Sequence, residues 1–373
     1  MQIGFDAKRL YHNTTGLGNY SRTLVQNLAT VAPQHHYHLY SNRLSATYPA
    51  FDASSTFVRK LPPSRQWSAA WWRSVGIRSQ LLSDSVQIYH GLSNELPFGI
   101  GQDDIKSVVT IHDVLFRRLP HTYPLIDRQI YQYKVKKACQ QADKIIAISE
   151  NTKQDIIHYY GTSPDKIEVL YQACLPAFYE VLVPNPNLLE AYNLPVEYLL
   201  VVGGVGERKN LKIVLQAQAL LPASARLPIV LVGRGKPTGI LAKLMQLALA
   251  NRQLIWLQNI EETATLIQLY LQATALVYPS LYEGFGLPIV EALLCKTSVI
   301  AAANSSLPEA GGEAAWYLKK STPEALANLI QEVRGNDILR QQKIDVGYAF
   351  AKQKFDPTQL TTQLLTLYES LLR

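Results

Sequence analysis

Short apolar runs recur along the whole chain, and amphipathic stretches separate them. The runs are MQIGFDA, HHYHLYS, VQIYHG, KSVVTIHD and DKIIAIS in the first half, then EYLLVVGG, LPIVLVGRG, QLIWLQN, ALVYPS and TSVIAAA. Runs of this length, bounded by Gly, Pro, Asp or Asn, are typical of strands buried on both faces of a parallel sheet. Their alternation with helical patterns predicts an α/β protein with doubly wound sheets in both halves.

The length of the chain, 373 residues, exceeds what one hydrophobic core usually supports. A segment with two prolines and two asparagines, LVPNPN at 182–187, lies between the two sets of strands and predicts an inter-domain linker. We therefore expect domains at 1–180 and 181–356. Asp356-Pro357 starts a last amphipathic helix at about 357–373, which we expect to pack back onto the first domain.

Cysteine usage and the N-terminal sequence bear on the compartment. The three cysteines lie far apart and form no C-x-x-C pair, which argues against a zinc site or a disulfide framework and favours a reducing compartment. The start, MQIGFDAKRL, does not have the pattern of a signal peptide, and no run reaches the roughly 18 apolar residues of a membrane-spanning helix. We expect a cytoplasmic protein, either soluble or at the inner face of the membrane.

The charge of the chain is positive and unevenly distributed. The formal net charge is +7, and residues 1–180 hold 19 Lys and Arg against 14 Asp and Glu. Such a balance favours an anionic partner, either a phosphate-bearing substrate, an anionic lipid surface or nucleic acid. Nucleic acid is disfavoured because the chain has no clustered aromatic-basic motif of the kind that binds it.

Three glycine-rich turns follow predicted strands, in TTGLGNYSRTL, VVGGVGERKNL and VLVGRGKPTG. Backbone amides of such turns can approach a phosphate at a helix N-terminus. The full G-x-G-x-x-G spacing is absent, because Ser21 and Lys209 occupy the third glycine position in the first two turns, which disfavours a nicotinamide cofactor. Arg208 and Lys209 together suit two adjacent phosphates, and the alternative is a solvated loop with two ordinary surface cations.

The stretch YEGFGLPIVEAL holds two glutamates around a glycine-rich loop. Glu283 comes directly before Gly284 and Gly286, and a helix is predicted to begin near Leu287-Pro288, where a proline is favoured. Free amides of that first turn would face an anion.

The second glutamate, Glu291, lies about one turn further along this helix among apolar neighbours. Its carboxylate could accept two hydrogen bonds from vicinal hydroxyls such as those of a ribose. The alternative is that both acids only stabilise the helix N-terminus through the helix dipole.

The string EGFGLPxxE, with Lys209 upstream in GERKNL and SLPEAGG downstream, resembles glycosyltransferase family 4, the retaining sugar-nucleotide enzymes of the GT-B fold. The resemblance extends to FDAKRLYHNTTGLGNYSRTL, IHDVLF and AISENTKQDI, and so covers nearly the whole chain. It implies two Rossmann-like doubly wound domains that face a central cleft, the first for the acceptor and the second for the donor. The chain departs from the commoner pattern at Gly204, where many members have an arginine.

The resemblance implies a donor site in the second domain. Glu283 looks like the glutamate that contacts the transferred sugar, and Glu291 is similar to the glutamate that holds the donor ribose. The groups expected around the sugar and its phosphate are those of Gly284, Phe285, Gly286 and Leu287.

Further roles follow from the same resemblance. Lys209, with Arg208 beside it, looks like the clamp on the donor diphosphate. Gly16 and Gly18 match a glycine loop that closes over the donor phosphate or the acceptor. His112 matches a histidine that lines the sugar pocket, and we place it with Lys209 and Glu283 in the predicted catalytic set.

The implied reaction is transfer of a hexosyl group with retention at the anomeric carbon, in polysaccharide biosynthesis. GLGNY and ERKN favour a mannosyl group from GDP-mannose, passed to a glycan or a polyprenyl-diphosphate-linked glycan. Fixed cations and amides would stabilise the leaving diphosphate, and since the chain has no Asp-x-Asp motif we expect no metal and no cofactor. The alternatives are a UDP-sugar-dependent transferase with a soluble acceptor, a GT-B epimerase or phosphorylase, and a non-catalytic binding protein.

Two further stretches have both a functional and a structural interpretation. SRQWSAAWWRSVGIRSQ contains three tryptophans and three arginines, Trp67, Trp71, Trp72, Arg65, Arg73 and Arg78. It would either meet a membrane interface and steer an anionic acceptor, or form a core helix. HHYHLY alternates along a predicted strand without matching cysteines, so core or surface histidines are favoured over metal ligands.

Overall fold

The computed structural model describes residues 1–42, 51, 56–62, 68–185 and 187–373. The chain divides into two compact units. Unit 1 consists of Met1–Ala173 and Phe355–Arg373, and unit 2 is Cys174–Lys354.

Unit 1 is built on a parallel sheet that has seven strands among the described residues. They are β1 (Gln2–Asp6), β2 (His36–Tyr40), β3 (Phe57–Lys60), β4 (Ile88–Gly91), β5 (Lys106–Ile111), β6 (Lys144–Ala147) and β7 (Ile167–Val169), in the order β3-β2-β1-β4-β5-β6-β7. Ile3 pairs with both Tyr37 and Ile88, so β1 lies between β2 and β4. The strand order reverses there, which makes the carboxyl ends of β1 and β4 the switch point, where doubly wound sheets bind ligands.

The helices of unit 1 cover both faces of this sheet, as right-handed crossovers between parallel strands require. In chain order they are α1 (Lys8–His12), α2 (Gly16–Val31), α3 (Ala69–Trp71), α4 (Ile77–Ser83), α5 (Leu115–Arg118), α6 (Leu125–Gln141) and α7 (Glu150–Tyr160), with a π-helical turn at Trp72–Gly76. Short 3₁₀ turns occur at Ile100–Gln102, Pro120–Thr122 and Pro164–Lys166. The inner strands β1, β2, β4, β5 and β6 are almost fully buried, β4 at every position, as their continuous apolar runs predict. The edge strands β3 and β7 are partly exposed.

Unit 2 repeats the same architecture, with six parallel strands in the part that the structure describes. They are β8 (Leu199–Val202), β9 (Ile229–Val232), β10 (Leu254–Leu257), β11 (Ala275–Tyr278), β12 (Val299–Ala302) and β13 (Trp316–Leu318), in the order β10-β9-β8-β11-β12-β13. Its switch point therefore lies between β8 and β11, where Ala275 pairs with Leu199. The predicted α/β class with two doubly wound sheets is confirmed.

The helices of unit 2 are α8 (Asn187–Ala191), α9 (Leu211–Leu220), α10 (Gly239–Ala250), α11 (Thr263–Leu271), α12 (Leu287–Leu294), α13 (Leu307–Gly311), α14 (Pro323–Gly335) and α15 (Asp337–Lys354). Short 3₁₀ turns are found at Pro176–Tyr179, Glu207–Lys209 and Ala223–Ala225. A buried core links the sheet to α9 and α14, through residues such as Val214, Val277 and Ile330.

The last helix, α16 (Pro357–Leu372), belongs to unit 1 although unit 2 precedes it in the chain. Asp356 caps it, because its Oδ1 accepts a hydrogen bond of 2.8 Å from the backbone N–H of Gln359. Leu364 and Tyr368 are buried in the unit 1 core. The Tyr368 hydroxyl lies 2.6 Å from His90 Nδ1, so a hydrogen bond as well as apolar packing holds this helix to the first sheet.

The chain passes from unit 1 to unit 2 between Ala173 and Cys174, ahead of the expected boundary at 180/181. The cause is local packing, since buried Phe178 lies with its ring centroid 6.2 Å from that of Tyr270. Asn185, in the predicted linker, donates its backbone N–H to Gln268 at 2.6 Å. The described part of the linker therefore contacts unit 2, while residue 186 lies outside the described residues.

The tryptophan-rich stretch is partly buried where the structure describes it, at Trp72, Gly76 and Ile77; Arg65 and Trp67 lie outside the described residues. Trp72 is fully buried, while Trp71 is 48% exposed. Two of the arginines in the stretch are held by carboxylates: Arg73 by Asp6 and Glu95, and Arg78 by Asp103 at 2.7 Å. Arg73 and Arg78 are each already paired with acids, and their expected role in steering an acceptor stays a prediction.

Other sequence expectations concern β2 and membrane spans. His38 is buried in β2, with Nε2 2.7 Å from Gln2 Oε1, and the described residues include no group of three or more metal-ligating side chains. Among the helices that the structure describes, none combines the length and apolarity needed to cross a bilayer.

Candidate active site

The loops that follow β8 and β11, at the switch point of unit 2, bring Lys209 and Glu283 together. Lys209 Nζ lies 2.7 Å from Glu283 Oε1 and 2.5 Å from the Tyr278 hydroxyl, and it sits 4.5 Å from the centroid of the Tyr278 ring. The two charged residues are 74 positions apart in the chain. They are neighbours because of the sheet topology and not because of a local motif.

The sequence of the first loop explains where Lys209 points. Gly203 has φ +133°, and a Cβ there would lie 2.9 Å from Lys209 Cε, so only glycine leaves room for the lysine stem. Asn210 adopts the left-handed conformation at φ 54° and donates its Nδ2 to the Pro279 carbonyl at 3.3 Å. A backbone bond of 2.8 Å from Leu281 N to the Arg208 carbonyl also joins the two loops.

Arg208 supplies a second cation to the same carboxylate. Its guanidinium pairs with Glu283 Oε2, and its Nη1 also donates to the Tyr282 carbonyl at 3.2 Å. The Arg208 side chain is 31% exposed, against 15% for Lys209. Arg208 is therefore the outer cation and Lys209 the inner one.

Electrostatics keeps the acid of this cluster ionised. Burial by itself would raise the pKa of Glu283, but Lys209 and Arg208 outweigh it and hold that pKa below its usual range. Burial lowers the pKa of Lys209, and the nearby charge of Glu283 partly opposes this. With Lys209 protonated, two cations face one carboxylate, and the cluster can accept further negative charge.

The EGFG loop is held by two serines that the sequence interpretation gave no role. Ser305 Oγ accepts the backbone N–H of Glu283 at 3.1 Å, and Ser306 Oγ donates to the carbonyls of Glu283 and Phe285 at 2.9 and 2.5 Å. Ser306 is the first residue of the SLPEAGG string, and Ser305 directly precedes it. In the sequence, the only indication of a role for this string was its position after the glutamate motif.

Gly286 ends the loop and caps α12 with φ +142°. A Cβ at this position would be strained and would lie 3.1 Å from Leu307 Cδ2. Phe285 is buried, and Gly284 and Leu287 complete the connection between Glu283 and the helix. The structure thus places all four predicted loop residues between Glu283 and the first turn of α12.

Glu291 lies within α12 and is bound to a tyrosine. Its Oε2 accepts a hydrogen bond of 2.7 Å from the hydroxyl of Tyr270 on α11. Burial raises the pKa of Glu291 to about 7, although the Tyr270 hydrogen bond and the charge of Lys209 oppose that rise. The two acids therefore differ: burial raises the pKa of Glu291 to about 7, whereas Lys209 and Arg208 lower that of Glu283.

The predicted glycine loop of unit 1 is a tight turn into α2. A Cβ at Gly18 would lie 1.7 Å from the Asn13 carbonyl oxygen, so this position requires glycine, whereas a Cβ at Gly16 would meet no atom within 4 Å. Asn13 Oδ1 accepts the backbone N–H groups of Thr15 and Gly18 at 2.9 and 3.1 Å. Close packing within the loop accounts for Gly18.

His112 follows β5 and lines a cavity of about 390 Å³ in unit 1. Its Nε2 lies 2.8 Å from the Leu92 carbonyl, which can only accept, so Nε2 carries the proton and Nδ1 accepts from the Gln172 amide at 3.1 Å. Burial lowers the pKa of His112 to about 4, while the Leu92 hydrogen bond opposes the change. The ring is neutral with both nitrogens engaged, which suits a cavity wall and not a proton-transfer group.

Two units with parallel sheets of this order have the architecture of the GT-B fold, and a cation-carboxylate cluster lies at the switch point of the second. Residues 190–349 match the family model of glycosyl transferases group 1, and residues 14–174 match the model of glycosyltransferase family 4. The two models together match most of the chain, which is a glycosyltransferase enzyme of the family 4, group 1 type.

Similar proteins include several mannosyltransferases. O-antigen chain mannosyltransferase B of Escherichia coli is 29% identical, with 100% of both chains covered. The serotype-specific mannosyltransferase WbdA of Escherichia coli is 29% identical over 61% of this chain and 29% of its own length. Among solved structures, Anabaena HepE in complex with UDP and glucose has a TM-score of 0.74 at 16% identity, covering 99% of this chain and 100% of HepE.

Proposed function

We propose that this glycosyltransferase moves a mannosyl group from GDP-mannose to a glycan or a polyprenyl-diphosphate-linked glycan, with retention at the anomeric carbon. The observation that carries the proposal is the Arg208–Lys209–Glu283 cluster at the switch point of unit 2. The choice of mannose is supported by the similarity to mannosyltransferases, one of which spans the whole chain. The expected product is an extended polysaccharide chain.

In this proposal the two cations bind the donor diphosphate and stabilise the charge that builds on it as the glycosidic bond breaks. Lys209 is the inner cation and would face the phosphate nearest the sugar, while the fork of Arg208 suits the second phosphate. Preorganised charges of this kind lower the barrier because they need no rearrangement during the reaction. Glu283 holds Lys209 in place and, as an ionised acceptor, can bind a hydroxyl of the transferred sugar.

Glu291 is proposed to bind the ribose of the donor. Its Oε2 is occupied by Tyr270, and its other oxygen remains able to accept a hydroxyl. A carboxyl that titrates at about pH 7 would bind hydroxyls as an acceptor best when ionised. Donor affinity should therefore improve as the pH rises through neutrality.

We also propose that the reaction needs neither a metal ion nor a cofactor. Arg208 and Lys209 supply the positive charge that a divalent cation supplies to a diphosphate in other transferases. The test is the initial rate in the presence of excess EDTA, with Mg²⁺ or Mn²⁺ added back. Equal rates under all three conditions are expected, and a rate that depends on added metal would contradict this part of the proposal.

The proposed location is the cytoplasmic face of a membrane, with contact through α6 and not through the tryptophan-rich stretch. One side of α6 packs on the core through Val135, Ala138 and Cys139. The opposite side exposes Ile126, Ile130 and Tyr133, which are 74%, 46% and 53% accessible, and Leu125 at the start of the helix is 63% accessible. Arg128, Lys136 and Lys137 lie on the same helix, whose one acid is Asp127. Apolar side chains among cations suit an anionic lipid surface.

The donor can be identified by a thermal-shift panel of GDP, UDP, ADP and dTDP sugars. A ligand that binds only the folded chain raises its Tm by mass action, so the true donor should stand out at equal concentrations. We expect the largest shift with GDP-mannose and a loss of that shift in Lys209→Ala. A shift only with UDP sugars would support the alternative, a UDP-sugar-dependent transferase.

A further inference from the structure

Unit 1 contains a cavity that was not predicted from the sequence, although His112, one of its lining residues, was expected to line a sugar pocket. Its volume is about 390 Å³, and its walls come from the segments after β1, β4 and β5 together with α5 and α6. The lining residues include Lys8 and Arg9 after β1, Asn94 after β4 and His112 after β5. These are the carboxyl ends of strands at the switch point of the first sheet, where ligands of doubly wound folds bind.

Half of the cationic groups in this cavity are already neutralised. Arg73 pairs with Asp6 and Glu95, and Lys134 Nζ lies 2.7 Å from Glu95 Oε2. Although burial alone would raise the pKa of Glu95, Arg73 and Lys134 lower it to about 2, so this acid stays ionised as their partner. These four side chains form one ion-pair network, and three of them, Arg73, Glu95 and Lys134, line the cavity.

Lys8 and Arg9 remain as excess positive charge. Across the parts of the chain that the structure describes, neither ammonium nor guanidinium makes a hydrogen bond or an ion pair. Burial lowers the pKa of Lys8, and the neighbouring charges of Arg73 and Arg9 lower it further. Two half-buried cations held close together favour an anion in the space before them.

The rest of the lining fits a sugar beside such an anion. Phe116, Tyr123 and Tyr131 form an aromatic group, with ring centroids 6.0 Å apart for Phe116 and Tyr131 and 6.5 Å apart for Phe116 and Tyr123. Aromatic faces offer apolar surface to the C–H groups of a sugar ring, and Tyr hydroxyls offer hydrogen bonds. The cavity therefore has a cationic part and an aromatic part.

We propose that this cavity binds a phosphate-bearing acceptor, with Lys8 and Arg9 on its phosphate or diphosphate group and its first sugar against the aromatic group. A guanidinium fork next to an ammonium is suited to two adjacent phosphates. The inference rests on the proposed glycosyl transfer to a polyprenyl-diphosphate-linked glycan. The inference favours a phosphate-bearing acceptor over an uncharged soluble glycan.

The kinetic test compares two acceptors that differ only in phosphate: a short-chain prenyl-diphosphate glycan and the same glycan as an alkyl glycoside. In Lys8→Gln and Arg9→Gln we expect the KM for the diphosphate acceptor to rise roughly tenfold or more, as for a lost charge-assisted hydrogen bond. The KM for the alkyl glycoside and for the donor should not change. Arg9→Lys should restore part of the affinity, and Lys153→Gln on α7, outside the cavity lining, is the charge-matched control.

A rise in the donor KM instead would overturn the proposal and assign the two cations to the donor phosphates. Equal effects on both acceptors would overturn it as well, since phosphate would then not be the recognised group. Each variant is compared with the wild type by its Tm, so that misfolding is recognised. Raising the salt concentration should reduce the difference between wild type and variants, because screening weakens the same contact.

A binding measurement separates failure of this inference from failure of the proposed function. Geranyl diphosphate is titrated calorimetrically into the enzyme saturated with the nucleoside diphosphate that gives the largest thermal shift, so that the unit 2 site is occupied whether or not any sugar is turned over. Saturable binding that Lys8→Gln/Arg9→Gln abolishes supports the cavity even if GDP-mannose is not a donor. Binding that the double variant leaves unchanged overturns it.

Discussion

Lys209 is the residue on which the proposed chemistry depends most directly. We expect Lys209→Ala to lower kcat by roughly 10²–10³-fold, the loss typical of one electrostatic donor to a charged leaving group. Lys243→Ala, an exposed lysine on α10, is the control for overall charge. Steady-state kinetics with saturating donor measures the effect, and turnover within a factor of a few of the wild type would remove Lys209 from the diphosphate clamp.

Glu291 should act on donor binding more than on the chemical step, because ribose hydroxyls are present equally in the ground and transition states. Glu291→Ala is therefore expected to raise the donor KM and leave kcat largely intact. Conversely, an unchanged KM with a collapsed kcat would contradict the ribose role.

The raised pKa of Glu291 also predicts how stability depends on pH. Burial lifts it from 4.5 to about 7, so between these values the folded chain binds more protons than the unfolded chain and Glu291 lowers the free energy of unfolding as pH rises. Ligand-free Glu291→Gln should then gain Tm relative to wild type on going from pH 4.5 to pH 8. A difference in Tm that stays constant over this range would show that Glu291 does not titrate there.

Single residues of the site were partly predictable from the sequence. The types and order of Arg208, Lys209, Glu283 and Glu291 could be identified from their motifs. The meeting of both cations at one carboxylate could not be predicted, because the pairs are separated by 74 and 75 positions and depend on which strands are adjacent. Tyr270 and Tyr278 carried no local signal, since a tyrosine in an apolar run looks like core.

Among the elements, α6 carries the proposed membrane contact. We expect Ile126→Glu/Ile130→Glu to reduce co-sedimentation with anionic liposomes and to leave turnover on a short-chain acceptor unchanged, because both side chains lie on the face of α6 opposite its packed residues. Leu247→Glu, an equally exposed leucine in unit 2, controls for surface hydrophobicity. Undiminished liposome binding in the double variant, at any salt concentration, would exclude α6 as the contact.

The helix α16 is tied to unit 1 by a buried polar chain. Tyr368 contacts His90 Nδ1, and His90 Nε2 lies 2.8 Å from Thr110 Oγ1. Tyr368→Phe leaves a buried imidazole nitrogen without its partner, which should cost about 1–3 kcal/mol of unfolding free energy. Urea denaturation measures it, with Tyr348→Phe on α15 as control; equal midpoints for the two variants would mean that the hydrogen bond adds nothing.

Strands occur where the sequence predicts them when the apolar run is continuous, as in β4 and β11. The boundary between the two units lies ahead of the prolines and so differs from the expected one, because Phe178 and Asn185 pack on unit 2. The tryptophan-rich stretch had two interpretations that composition could not separate. Burial of Trp72 and the ion pairs of Arg73 and Arg78 favour the core, which only the three-dimensional arrangement shows.

At the scale of the whole molecule, each unit offers a site at the switch point of its own sheet. Unit 2 has two cations around Glu283, and unit 1 has Lys8 and Arg9 before a cavity lined with aromatic rings. The sequence predicted this division of donor and acceptor only through family resemblance. The base, the sugar and the acceptor depend on the shape of the pockets, which motifs do not encode.

The most direct test of the account is to follow the reaction of GDP-mannose with a short prenyl-diphosphate glycan by NMR, with EDTA present. The account predicts release of GDP and a new mannosyl linkage with the same anomeric configuration as the donor, formed by the wild type and at a greatly reduced rate by Lys209→Ala. Turnover of a UDP sugar but not of GDP-mannose, or a product of inverted configuration, would contradict it.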